Sequence, residues 1–130
     1  MTFYAAEMLR IRDAVYPGED IVHRVIAAKQ AMERGFGHPL SIDTLAGTAF
    51  LSRYYFIRTF ARCYGVTPHQ YLTDLRMDRA TGWLLQGMSV SEVCKRVGFT
   101  SPAAFSNTYR RRTGRCPGSF KKAISEKSGL

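Results

Sequence analysis

Arg58 and Asn107 carry side-chain types that hydrogen-bond in pairs to a flat partner: a guanidinium presents a fork of donors, and a carboxamide presents a donor beside an acceptor. Each belongs to a cluster at the spacing of one helix side, Arg53, Tyr54, Ile57 and Arg58 in the first and Pro102, Ala103, Ser106 and Asn107 in the second. The chemistry suits base edges in a nucleic-acid major groove. Arg58 matches guanine, Asn107 matches adenine, and Tyr54, Ile57 or Ala103 can touch a thymine methyl group. Arg62, Arg110, Arg111, Arg112 and Arg115 are expected on phosphates, where they add affinity and salt dependence with little sequence information. Ser52 and Ser101 are expected to join them, since they stand at helix starts whose free N–H groups and partial positive charge suit an anion.

The two clusters are held by a word written twice. Ser52, Phe56, Thr59, Phe60, Arg62, Gly65, Pro68 and Tyr71 recur 49 residues later as Ser101, Phe105, Thr108, Tyr109, Arg111, Gly114, Pro117 and Phe120. Each copy spells a helix that opens on Ser, buries an aromatic pair at i and i+4, and stops at Gly before a Pro-led segment. The buried face is conserved between the copies while the free face differs. One scaffold reading two different half-sites has reason to diverge in that way; a purely structural repeat has not.

A short helix precedes each of these. Ser41 opens the first, with Ile42, Leu45 and Ala46 on one side, and Ser89 with Glu92 forms a capping box for the second, with Val90, Val93 and Cys94 apolar. The second turn is one residue longer and holds Gly98. Ahead of both, Asp20 is placed to cap a helix to about Arg34 with Val22, Val25, Ile26, Lys29 and Met32 on one face. Between the copies Thr67 caps and Pro68 starts a helix to about Leu85, a spacer of about 27 Å at 1.5 Å per residue. A last helix is expected from Pro117 to about Ile124. No segment alternates with period two, so the fold class is all-α, about seven helices forming two helix-turn-helix subdomains joined by a long central helix. The expected divisions are an arm at 1–19, a first subdomain at 20–66, the linker helix at 67–86, a second subdomain at 87–124 and a polar tail at 125–130.

Charge supports a polyanionic partner. The formal net charge is +9, and the excess of Lys and Arg over acids is 0 across residues 1–40, +2 across 41–88 and +7 across 89–130. No apolar stretch approaches a membrane span and the start lacks a signal-peptide core, so a soluble cytoplasmic protein is expected. Cys63, Cys94 and Cys116 fit neither a disulfide framework nor a zinc pattern, and Cys63 and Cys94 are expected to be small buried side chains. Phe56, Phe60, Phe105, Tyr109 and Trp83 are assigned to the core. His23, His38 and His69 are scattered, and no nucleophile has a placed base, so neither enzymatic activity nor a metal or other cofactor is expected.

In order and spacing, these residues resemble the AraC/XylS family of bacterial transcription regulators over about residues 20–122. The likeness is carried by Ser41-Ile42 with Leu45-Ala46, Arg58-Thr59-Phe60, Gly65-Val66-Thr67-Pro68 with Tyr71-Leu72, Arg76-Met77, Ala80, Leu84-Leu85, Ser89-Val90 with Glu92-Val93, Val97-Gly98-Phe99, Phe105, Tyr109, Gly114, Pro117 and Phe120. The resemblance implies a seven-helix domain whose two recognition helices enter successive major-groove segments on one side of the duplex. It places base contacts on Tyr54, Ile57 and Arg58 and on Pro102, Ala103, Ser106 and Asn107.

The chain also departs from the family. Phe50 stands where the first turn commonly has Gly or another small residue, which implies a distorted or unusually packed first unit. Asn107 replaces a frequent Arg, and Pro102 and Ala103 supply no side-chain donors, so the second probe is expected to lean on phosphate. Two readings stand at this point. One is a sequence-specific regulator on double-stranded DNA, monomeric as this chain unless a further domain dimerises it. The other is a helical adaptor contacting RNA polymerase or another part of the transcription machinery. Salt separates them, because phosphate contacts weaken steeply as salt rises.

Overall fold

The computed structural model describes residues 18–120. Within them the chain forms six helices, α1 Glu19–Gly35, α2 Ile42–Thr48, α3 Arg53–Tyr64, α4 Pro68–Leu85, α5 Val90–Arg96 and α6 Pro102–Thr113. The fold is all-α. Six rather than about seven helices are counted among the described residues. Ser119 and Phe120 are helical, but the remainder of the expected seventh helix, nearly all of the arm at 1–19 and the tail at 125–130 lie outside the described residues.

Local chemistry sets most of the helix ends. Ser41, Ser52, Ser89 and Ser101 cap α2, α3, α5 and α6, each with its Oγ accepting from the N–H three residues on, at 3.0, 3.3, 3.2 and 3.3 Å. Thr67 and Gln70 form a full capping box before Pro68, with Thr67 N–H donating to Gln70 Oε1 at 2.9 Å and Gln70 N–H to Thr67 Oγ1 at 3.2 Å. The box expected at Ser89 is half made, since the Glu92 carboxylate lies 3.7 Å from Arg96, one turn further on. Asp20 sits in the first turn of α1 instead of capping it. The Gly18 carbonyl accepts from Val22 N–H at 3.0 Å, and Asp20 pairs with Arg24 at 3.0 Å. Gly65 and Gly114 end α3 and α6 in the left-handed region, at φ 76° and 77°.

The chain divides into two compact units. Among the described residues, the first comprises residues 18–34 and Leu40–Tyr71; the second comprises Gly35–Pro39 and residues 72–120. α4 passes from one to the other between Tyr71 and Leu72.

In the first unit Val25, Ala28, Met32, Leu45, Ala46, Ala49, Phe56 and Phe60 are buried together with Thr59. The Phe56 and Phe60 rings lie 5.8 Å apart, and Phe60 continues to Tyr64 at 4.7 Å and Tyr71 at 5.6 Å. Each fully buried Phe contributes about 1.5–3 kcal/mol of apolar transfer, so this seam is what holds α3. Lys29, the one polar residue on the expected α1 face, is accommodated by Glu33 at 3.1 Å and by the Tyr64 and Tyr71 rings at 5.4 and 5.7 Å.

The second unit has its own core of Met77, Ala80, Leu84, Val93, Cys94, Val97, Phe105, Tyr109 and Phe120. Trp83, expected inside, is half-buried at its margin, where it meets Phe36 at 6.0 Å and Arg96 at 5.3 Å. Arg76 ties the 35–39 loop to α4 by donating to the carbonyls of Phe36 and His38 at 2.8 and 3.0 Å. Burial lowers its pKa.

Candidate nucleic-acid interface

Each unit contains a short helix, a tight turn and a second helix: α2 and α3 in the first, α5 and α6 in the second. Both turns close with the same pair of hydrogen bonds. In the first, Leu51 N–H donates to Ala46 O and Phe50 N–H to Gly47 O, both at 3.0 Å; in the second, Phe99 N–H donates to Cys94 O at 3.0 Å and Gly98 N–H to Lys95 O at 3.2 Å. This is the Schellman pattern, which requires a left-handed residue just past the helix cap. Phe50 fills that place at φ 55°, the one non-glycine with positive φ among the described residues. The expected distortion of the first turn is thus confined to one residue's backbone, and the turn's hydrogen bonds are intact.

The aromatic seams orient the second helices as the repeat suggested. Phe56, Phe60 and Phe105 are fully buried and Tyr109 nearly so, and the Tyr109 hydroxyl lies 2.6 Å from Thr81 Oγ1. Of the residues expected to face bases, Arg53, Tyr54, Arg58, Pro102, Ala103 and Asn107 are exposed, while Ile57 and Ser106 are half-buried. Exposed Arg58 has an aromatic neighbour. Its guanidinium lies over the Tyr54 ring, 5.7 Å from the centroid, one helical turn away.

Among the residues expected on phosphate, Ser52, Arg62, Arg110, Arg111, Arg112 and Arg115 are exposed and Ser101 is half-buried. The capping serines use an oxygen lone pair on their own helix and keep a hydroxyl proton to donate. Two arginines have acidic neighbours that sequence spacing did not reveal. Arg53 Nη1 lies 3.5 Å from Asp43 in the first turn of α2, and Arg112 Nη2 lies 2.8 Å from Asp74 in α4. Arg115 stacks over Phe120 at 5.7 Å. The sequence separation of 38 between Asp74 and Arg112 leaves no periodic signal that could have paired them.

Cys94 is buried as expected, whereas Cys63 is only half-buried; burial raises both thiol pKa values above the ordinary range. Among the described residues, no group of three or more His, Cys, Asp or Glu side chains is placed to hold a metal ion, and no helix is long and apolar enough to cross a membrane.

Two helix-turn-helix units, each with a core-anchored second helix and an exposed helix start, define a protein of the nucleic-acid-recognition class. Comparison with known proteins narrows this. A family profile described as a helix-turn-helix domain matches residues 45–123, and the chain belongs to that family, the AraC-type helix-turn-helix domains. It is similar to a solved structure described as the DNA-binding domain of AdpA, the global transcriptional factor, in complex with a target DNA. The identity is 30%, with 79% of this chain and 94% of that one covered and a TM-score of 0.74. A transcriptional regulator of Chromobacterium violaceum, described as containing an AraC-type DNA-binding domain, is 31% identical over 76% of this chain and 89% of its own, with a TM-score of 0.69. The Msm operon regulatory protein of Streptococcus mutans is 29% identical over 98 residues, 74% of this chain and 35% of the relative. The chain therefore spans about a third of that curated relative.

Proposed function

We propose that this chain is the sequence-specific DNA-binding domain of a bacterial transcription regulator, with α3 and α6 as recognition helices in successive major-groove segments of one duplex. The observation that supports it most is the split between the two copies: the anchoring seam repeats and the exposed helix starts differ, Arg58 against Asn107 and Tyr54 against Ala103. The AdpA domain's described complex with target DNA supports the same partner. In this reading α4 is the linker of the two subdomains. Arg53, Tyr54, Ile57 and Arg58 read one half-site, and Pro102, Ala103, Ser106 and Asn107 the other. Ser52, Arg62, Ser101, Arg110, Arg111, Arg112 and Arg115 meet phosphates, Arg112 after exchanging Asp74 for the backbone. The chain acts in the cytoplasm, without enzymatic activity, as a monomer unless a further domain dimerises it, and RNA polymerase is its second partner.

Selection of bound duplexes from a random pool tests this. Two preferred blocks about one helical turn apart are expected. A single block would reduce the second unit to a phosphate anchor. No enrichment, with binding indifferent to salt, would replace this reading with the protein-adaptor one.

A further inference from the structure

Exposed aromatic surface is unevenly shared between the two turns. Among the described residues Phe50, Tyr54, Tyr55 and Leu85 are the exposed large hydrophobic side chains, so three of the four fall within six consecutive positions around the start of α3. Their counterparts in the second turn and helix are Gly98, Ala103 and Ala104. Phe50 is the extreme case. It is 82% exposed and holds a left-handed backbone that L side chains rarely adopt, so neither core packing nor local conformation accounts for a Phe there. Backbone strain carried by an exposed side chain points to use at a surface.

The position limits what that surface meets. Phe50 precedes the Ser52 cap by two residues, so its Cα lies within about 8 Å of the start of α3, and a phenyl ring extends further. Arg58, and Arg53 in its 3.5 Å pair with Asp43, flank the patch, which gives an aromatic surface bordered by two guanidinium groups and one carboxylate. A polyanion that also offers apolar groups, such as thymine methyls and deoxyribose, complements both properties, whereas a second basic protein would not.

Building on the duplex-binding function above, we propose that Phe50 is a further DNA-contacting residue, packing its ring on a sugar or thymine methyl at the edge of the groove segment occupied by α3. The contact widens the first half-site by one apolar position that the second unit, with Gly98, lacks. It carries no charge and releases no counterion, so it adds affinity without adding to the salt dependence.

The test uses the 130-residue chain and the duplex that the wild type enriches from a random pool. Phe50→Gly suits the left-handed backbone, and a thermal scan verifies that it folds. The expected result is affinity about tenfold weaker with an unchanged salt slope, and Phe50→Tyr within about twofold of wild type. Equal affinity of Phe50→Gly and wild type overturns the contact while leaving duplex binding standing. Loss of the same size on every duplex together with a shallower slope also overturns it, as does loss confined to capture of RNA polymerase. A wild-type chain that enriches no duplex removes both the contact and the function it rests on.

Discussion

Phe50 and Gly98 occupy the same place in the two turns, the left-handed residue just beyond α2 and α5, at φ 55° and 82°. Their surroundings differ. A Cβ at Gly98 would stand 3.2 Å from Arg76 Nη2 and from the carbonyl oxygens of Gly37 and Phe36, two of which are backbone atoms. Torsion favours glycine in both turns, and in the second a Cβ would also need those close neighbours to shift by a few tenths of an ångström; the first carries Phe against the torsional preference.

Opposite effects on stability follow from this pair. Phe50→Gly should stabilise the chain by about 1 kcal/mol by relieving the left-handed strain, partly offset by the greater freedom of glycine when unfolded. Gly98→Ala should destabilise by about 1–3 kcal/mol. Urea unfolding followed by circular dichroism measures both, and the same sign for the two would contradict the assignment.

Arg58 and Tyr54 should behave as one unit in recognition. Arg58→Ala is expected to cost about 1–3 kcal/mol on the preferred duplex and to relax preference at one base pair. Tyr54→Ala removes the ring that holds the guanidinium and should relax the same base pair, with Arg58→Ala adding less in that background than alone. Competition binding against single-base variants of the duplex gives the coupling; full additivity would separate the two roles.

Asp74 restrains Arg112 at 2.8 Å, so its removal should favour the duplex. Asp74→Asn is expected to raise affinity a few fold for every sequence, and Arg111→Ala to lower it uniformly and to reduce the salt slope by about one. Titrations at several salt concentrations measure both effects. A change in base preference on losing Arg111 would move that residue to direct readout.

Arg76 should matter to folding more than its surface charge suggests. Arg76→Met leaves the Phe36 and His38 carbonyls without their charged donor and should cost about 1.5–3 kcal/mol. Chemical denaturation of the variant is the check; a loss below about 0.5 kcal/mol would make the loop independent of it.

Alkali should weaken the first unit. Lys29 is raised above its ordinary pKa by its hydrogen bond to Glu33, and Tyr71 is raised by burial and by donating to the same carboxylate at 2.9 Å. Both groups hold their proton more tightly when folded. Their contribution is therefore complete below the unfolded values, near pH 10, and is lost as pH rises through the folded ones. Melting temperature should be flat with respect to these groups through neutral pH and fall above about pH 10, and Tyr71→Phe should make the fall shallower.

The helix-turn-helix units and their buried seams were legible in the sequence because they rest on local rules. Ser at a helix start, Gly at its end and aromatics four apart have the same physical consequence wherever they occur, and a repeat at one offset states them twice. Met77 of α4 is buried in the second core, because a helix face is chosen by what packs on it as well as by its own period.

Long-range charge pairing was not legible. Nothing local distinguishes Arg112, which meets Asp74, from the adjacent and exposed Arg111; tertiary structure alone brings that carboxylate within 2.8 Å. The same holds for Phe50. Its residue type was visible as an oddity in a turn, but whether the backbone would deform or the ring be buried depended on the hydrogen bonds closing that turn and on the space around it. The chain by itself determined which helices form and the aromatic faces that α3 and α6 bury. The fold decided which polar side chains already have partners, because desolvation and Coulomb terms depend on distances that only the folded chain brings into range.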